Sequence, residues 1–194
     1  MRFYYSGAST FLAAQQDPTI SIGGFISSSL VPNDSFESLF SNISNFSIKR
    51  NITEYFLIAL KNETGQAASN LSVYFDFPKD SSIEMQLSVV KPTLDTCDNT
   101  LSFEKIPNRE SAPHFANFVS ANGSAEAKAL GNLDADAYLG FWFKKTINLD
   151  NLLADNPDAC NIAALTKKEI IVGESETLSI ILDWTGTENE VVII

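Results

Sequence analysis

His114 is the chain's single histidine and stands in "SAPHFANF". A serine-type hydrolase would need it as the base between a carboxylate and a hydroxyl nucleophile. The G-x-S-x-G turn that raises such a serine above a sheet does not occur, so His114 reads as an ordinary strand or loop histidine. Paired carboxylates are the other common acid–base machinery, as in glycosidases. Asp134 and Asp136 stand two residues apart in "LGNLDADA", where a turn would leave both in water. With Asp150, Asp155 or Asp158 they offer oxygen ligands for calcium, but without the ordered spacing of an EF-hand. Two isolated cysteines and one histidine cannot complete a four-ligand zinc site. The expectation is a protein that is not an enzyme, with no catalytic residue, no cofactor and no metal.

Cys97 and Cys160 each lie in a polar stretch rich in Asp and Asn. They form a disulfide if those loops meet at one end of the fold, and otherwise stay as two free thiols. Asn-x-Ser/Thr sequons include those beginning at Asn42, Asn45, Asn51, Asn62, Asn70 and Asn122. They mark glycosylation in a secreted eukaryotic protein, and polar turns and strand edges otherwise. Tyr74, Tyr138 and Trp142 alternate with apolar residues. Aromatics so placed either stack on sugar rings or pack against a second sheet or a protein neighbour.

The net charge is −11. So acidic a surface repels phosphate backbones, which argues against nucleic-acid binding. Lysines pair only at Lys144-Lys145 and Lys167-Lys168. No stretch reaches the roughly 20 apolar residues of a membrane-spanning helix, so no membrane partner is expected. The opening "MRFYYSGASTFLAAQQ" is too interrupted for a signal peptide and reads as an arm or a first strand. With 44% hydrophobic and 19% charged residues, the chain is apolar enough to bury a core.

These side chains need elements to carry them. Residues 1–43 read as an N-terminal arm ending in a short helix. "SIGGFISSS" supplies a Gly-Gly flexible point followed by small hydroxyl residues. Asp34 and Glu37 form a capping box. Phe36, Leu39, Phe40 and Ile43 then fall on one helical face over 35–43. That face either covers the open end of the core or docks on a neighbouring subunit.

Over 44–185 the period becomes two. "EYFLIALKN" is apolar on both faces and so reads as a central strand. In "LSVYFDFP", Leu71, Val73, Phe75 and Phe77 share one face, and in "SSIEMQLSVV" Ile83, Met85, Leu87 and Val89 do. "KPTLDTCDNT" reads as a loop, and "LSFEKIP" and "APHFANFV" as strands. "LGNLDADA" reads as the turn into a strand that puts Leu139, Phe141 and Phe143 on one face and Tyr138, Gly140, Trp142 and Lys144 on the other. Lys144 and Lys145 then mark where that strand emerges into water. Residues 186–194 form a C-terminal tail ending in Val191, Val192, Ile193 and Ile194. Such a tail adds a strand to a partner or pairs within its own sheet. Seven or eight short strands between turns point to an all-β, antiparallel sandwich with an N-terminal arm, one short helix and a C-terminal extension.

The run "EYFLIALKNETGQAASNLSVYFDFP", "SSIEMQLSVV", "PNRESAPHFANFV" and "LGNLDADAYLGFWFKKTINLD" resembles an immunoglobulin-like pattern in virion proteins of tailed bacteriophages. In that pattern a strand ends in an Asn-containing turn, and a Gly-bearing turn precedes an aromatic strand ending in basic residues. Asp136 stands where the pattern prefers Gly. "SIGGFISSSLVPNDSFESLFSNIS" is similar to N-terminal arms in structural proteins of phages infecting Bacteroidetes, including crAss-like phages.

The resemblance covers most of residues 20–150 and implies a virion structural protein of the tail, baseplate or head–tail collar. Its partners would be copies of itself and other virion proteins. The subunit-interface candidates are Phe25, Phe36, Leu39 and Phe40 in the arm and Val191, Val192, Ile193 and Ile194 in the tail. A carbohydrate- or receptor-binding module and a capsid decoration protein are the alternatives.

Overall fold

The computed structural model describes residues 1–32, 53–76, 83–147, 179–185 and 190–193. The expected 35–43 helix, with Phe36, Leu39 and Phe40, and residue Ile194 lie outside these. Apart from two 3-10 turns, Pro18–Ile20 and Ser124–Glu126, the regular structure described is β. Its strands are β1 (Arg2–Ala8), β2 (Gly24–Leu30), β3 (Thr53–Lys61), β4 (Ala68–Asp76), β5 (Ile83–Val90), β6 (Thr93–Asp95), β7 (Thr100–Phe103), β8 (Lys128–Leu133), β9 (Tyr138–Ile147), β10 (Ser179–Thr185) and β11 (Glu190–Ile193). They form a seven-stranded sheet ordered β5-β9-β3-β1-β2-β7-β6 and a four-stranded sheet ordered β11-β10-β4-β8. Every strand pairing is antiparallel.

The period-two pattern explains how the sheets meet. Phe56, Ile58 and Leu60 of β3, with Leu139, Phe141 and Phe143 of β9, face Leu71, Val73 and Phe75 of β4 and Ile180 and Leu182 of β10 in one buried cluster. The alternate residues of the same central strands, Tyr55, Leu57, Ala59 and Trp142, form a second cluster with Ile22, Ile26, Phe103 and Ile106. The large sheet is therefore covered on both faces. That is why β3 is apolar on both faces from Tyr55 to Leu60, as its sequence implied. Gly140 allows this cover to sit close, because a Cβ there would lie 2.4 Å from the Phe103 ring.

For residues 1–32 the arm reading is corrected, and of the two readings of the opening it is the first strand that the fold shows. β1 lies inside the large sheet between β3 and β2, with Phe3 opposite Leu60 and Tyr5 opposite Ile58. Met1, Phe3 and Tyr5 are buried. The hydroxyl-rich stretch that suggested an arm is instead a buried polar stitch. Ser6 Oγ donates to Leu57 O at 2.9 Å and accepts from Gly23 N at 3.2 Å. Ser21 Oγ accepts from Ser6 N at 3.1 Å, and Ser27 Oγ accepts from Gln15 N at 2.9 Å while donating to Gln15 O at 2.9 Å. These hydroxyls satisfy backbone groups where β1 bulges away from regular pairing. Gly7, at φ +83°, belongs to that bulge; a Cβ there would sit 2.1 Å from Ile20 O.

Four local readings also change. "KPTLDTCDNT" is a hairpin, with β6 paired to β7 around the turn carrying Cys97. "APHFANFV" is irregular except where Val119 bridges Leu87. Its donors are taken by side chains instead, with Asn117 N donating to Ser88 Oγ at 2.8 Å. "LGNL" belongs to β8, so the turn before β9 is only residues 134–137. Lys144 and Lys145 do not mark the strand's exit, because β9 runs on to Ile147. Lys144 Nζ donates to Gln86 Oε1 at 2.9 Å, and Lys145 is buried.

Candidate interaction surfaces

Among the described residues, His114 and Asp136 are each tied to a neighbouring segment. Glu104, just after β7, accepts from the His114 backbone N–H at 2.8 and 3.1 Å and from the Phe115 N–H at 3.3 Å. His114 Nδ1 lies 2.6 Å from Glu104 Oε1. Partial burial alone would raise the Glu104 pKa. The hydrogen bonds from the His114 backbone and ring and from Phe115 outweigh it and hold the carboxyl below its ordinary value. The carboxylate thus braces the loop that carries His114 and Phe115.

Asp136 has φ +59°, the left-handed conformation that glycine adopts most readily. The turn keeps the backbone of a glycine with an aspartate in place. Ala137 N donates to Asp134 O at 3.1 Å, and Asp136 Oδ1 pairs with Lys61 Nζ at 3.2 Å. Among the described residues no group of three or more His, Cys, Asp or Glu is placed to hold a metal ion. Asp150, Asp155, Asp158 and Cys160 lie outside them, and Cys97 is an exposed free thiol.

Asn62, one of the sequon residues, is fully buried where β3 meets that turn. Its Nδ2 donates to Gln66 O at 2.7 Å, Leu133 O at 2.9 Å and Asp134 O at 3.1 Å. Its Oδ1 accepts from Thr64 N at 3.1 Å and Thr64 Oγ1 at 2.8 Å. The Asn-x-Thr spacing here is the signature of an Asx turn. Of the aromatic candidates, Trp142 is buried under the second cluster and offers no platform to a sugar. Tyr138 packs against that cluster and lies 5.8 Å under Lys61 Nζ. Beside it, Tyr4 donates to Glu63, which also pairs with Arg2 at 3.4 Å and Lys61 at 3.7 Å.

Of the sequence's interface candidates, Phe25, Val191, Val192 and Ile193 fall at described positions of the fold. Phe25 in β2 is partly buried and lines a cavity of about 520 Å³ with Ile20, Gly24, Phe103 and Lys105. Gln15 forms part of the same wall. The tail segment pairs with β10 in its own chain, Val191 opposite Ile181 and Val192 opposite Ile180. It is therefore not a free tail, and among the described residues it is an edge strand of the small sheet.

Phe115 was missed by sequence reasoning. It is 85% exposed, well above Leu94 at 50%, the next large apolar side chain among the described residues. Within "APHFANFV" it resembles a strand core residue. Only the three-dimensional bracing by Glu104 turns it outward. No family model, curated protein or solved structure matches this chain.

Proposed function

We propose that this chain is a structural subunit of a tailed-phage virion, in the tail, baseplate or head–tail collar, and that it works by packing against copies of itself and other virion proteins. The sequence resemblance motivates this reading. The observation that carries it is the apolar edge strand β11, whose outer side adjoins no other strand of its described sheet. An edge of this kind accepts a strand from a partner.

The immunoglobulin-like assignment belongs to the same proposal. In its support, two antiparallel sheets share one core. Against it, the chain changes sheet at every step of β3-β4-β5 and of β8-β9-β10. Immunoglobulin sheets instead keep D beside E and F beside G, so a jelly-roll Greek key is the competing assignment for these six strands.

The test is placement in a purified particle at near-atomic detail, together with sedimentation of the isolated chain. Ordered copies of this chain in a ring or sleeve, with β11 continued by a neighbour's strand, are expected. A chain that remains monomeric at every concentration and is absent from particles refutes the proposal.

A further inference from the structure

We propose that the loop tip bearing Phe115 of one copy seats in the cavity lined by Phe25, Ile20 and Phe103 of a second copy. This rests on the self-packing reading above and names its contact. Phe115 is 85% exposed, and an aromatic ring held in water gains most from being buried against apolar walls. The tip is already ordered by the Glu104 carboxylate, which accepts from the backbone N–H groups of both His114 and Phe115. Little freedom is therefore lost on docking.

The cavity of about 520 Å³ has room for a ring and part of its loop, with small residues at Gly7, Ala8 and Ala14 among its lining. Charge complements the fit. Lys105 lines the cavity and is exposed, and Glu110 on the loop that ends in Phe115 is exposed as well. Opposite charges at a rim steer association and make it salt-sensitive. Every copy carries both halves, and Glu104, which holds the tip, stands in the chain between the cavity residues Phe103 and Lys105. The contact is met reciprocally by two copies about a two-fold axis, or from copy to copy around a ring.

The experiment is sedimentation of the full chain, of Phe115→Asp and of Ala14→Trp, with circular dichroism and thermal melting as fold controls. Both positions are exposed, so each variant is expected to melt like the parent. Each should lose about thirtyfold or more in self-association. Phe115→Asp keeps an intact cavity and Ala14→Trp keeps an intact loop tip, so mixing the two is expected to give a species of two chains. Self-association that persists in both single variants overturns this contact while leaving the structural-subunit reading standing. A parent chain that never associates, alone or in particles, removes that reading as well. Variants that lose association but do not complement on mixing also overturn the contact.

Discussion

Replacing Asn62 by alanine removes five side-chain hydrogen bonds at once. They join β3, the turn after it and the turn that leads into β9. Thr64 and Gln66 lie on the exposed side of the first turn, where water replaces much of what they lose. The Leu133 carbonyl does not have that recourse, since its bond to Asn62 is buried. Stranding a buried acceptor costs about 1–3 kcal/mol, and each remaining bond is worth about 1 kcal/mol or less. The sum is about 3 kcal/mol of lost stability.

With a urea slope of about 2 kcal/mol/M, the unfolding midpoint of Asn62→Ala should fall by about 1.5 M with the slope unchanged. Asn62→Asp keeps the acceptor for Thr64 but turns a carboxylate toward carbonyl oxygens, so it should fall further. A midpoint for Asn62→Ala within about 0.2 M of the parent, or an aspartate variant more stable than the alanine one, would refute the reasoning.

Other outcomes follow from the same geometry. Asp136→Gly should be nearly neutral in thermal melting, because it relieves a left-handed residue while losing an exposed ion pair; Asp136→Val should lose about 1–2 kcal/mol. Burial first, and then the hydrogen bond to Glu63, push the Tyr4 hydroxyl up to about 12 from 10.0. The folded state therefore favours the neutral phenol. That contribution is complete below pH 10.0 and is lost as the pH rises towards about 12. Tyr4→Phe should flatten this alkaline loss in urea midpoints measured across the range, and absorbance at the phenolate band should lose one tyrosine that ionises well above the ordinary value. The lowered Glu104 carboxyl acts in the opposite direction. Its contribution is present above the ordinary glutamate value of 4.5 and is lost as the pH falls below it. Protection of the His114 and Phe115 amides relative to their intrinsic exchange rates should then fall in acid, and Glu104→Gln should remove that dependence. Deleting residues 1–8 should abolish the β-type circular dichroism signal, because β1 is an inner strand of the large sheet; a folded product would contradict that placement.

The alternation of apolar and polar side chains was enough to read most of the strands. It identified β3 as central and assigned the inner faces of β9 and, for Leu71, Val73 and Phe75, of β4, with Phe77 outside the described residues. Burial on a pleated strand repeats every two residues whatever its neighbours are, so that information is local and survives without a structure. The partners are not local. "SIGGFISSS" reads as a loose arm because serine carries no burial signal of its own. Ser6, Ser21, Ser27 and Ser29 are buried only because their hydroxyls meet backbone groups of β1, β3 and the 9–23 loop. Asn62 likewise looks like one sequon among several, and Phe115 looks like one more core phenylalanine. Hydrogen bonds to residues far along the chain, which no periodicity encodes, bury the first completely and leave the second in water.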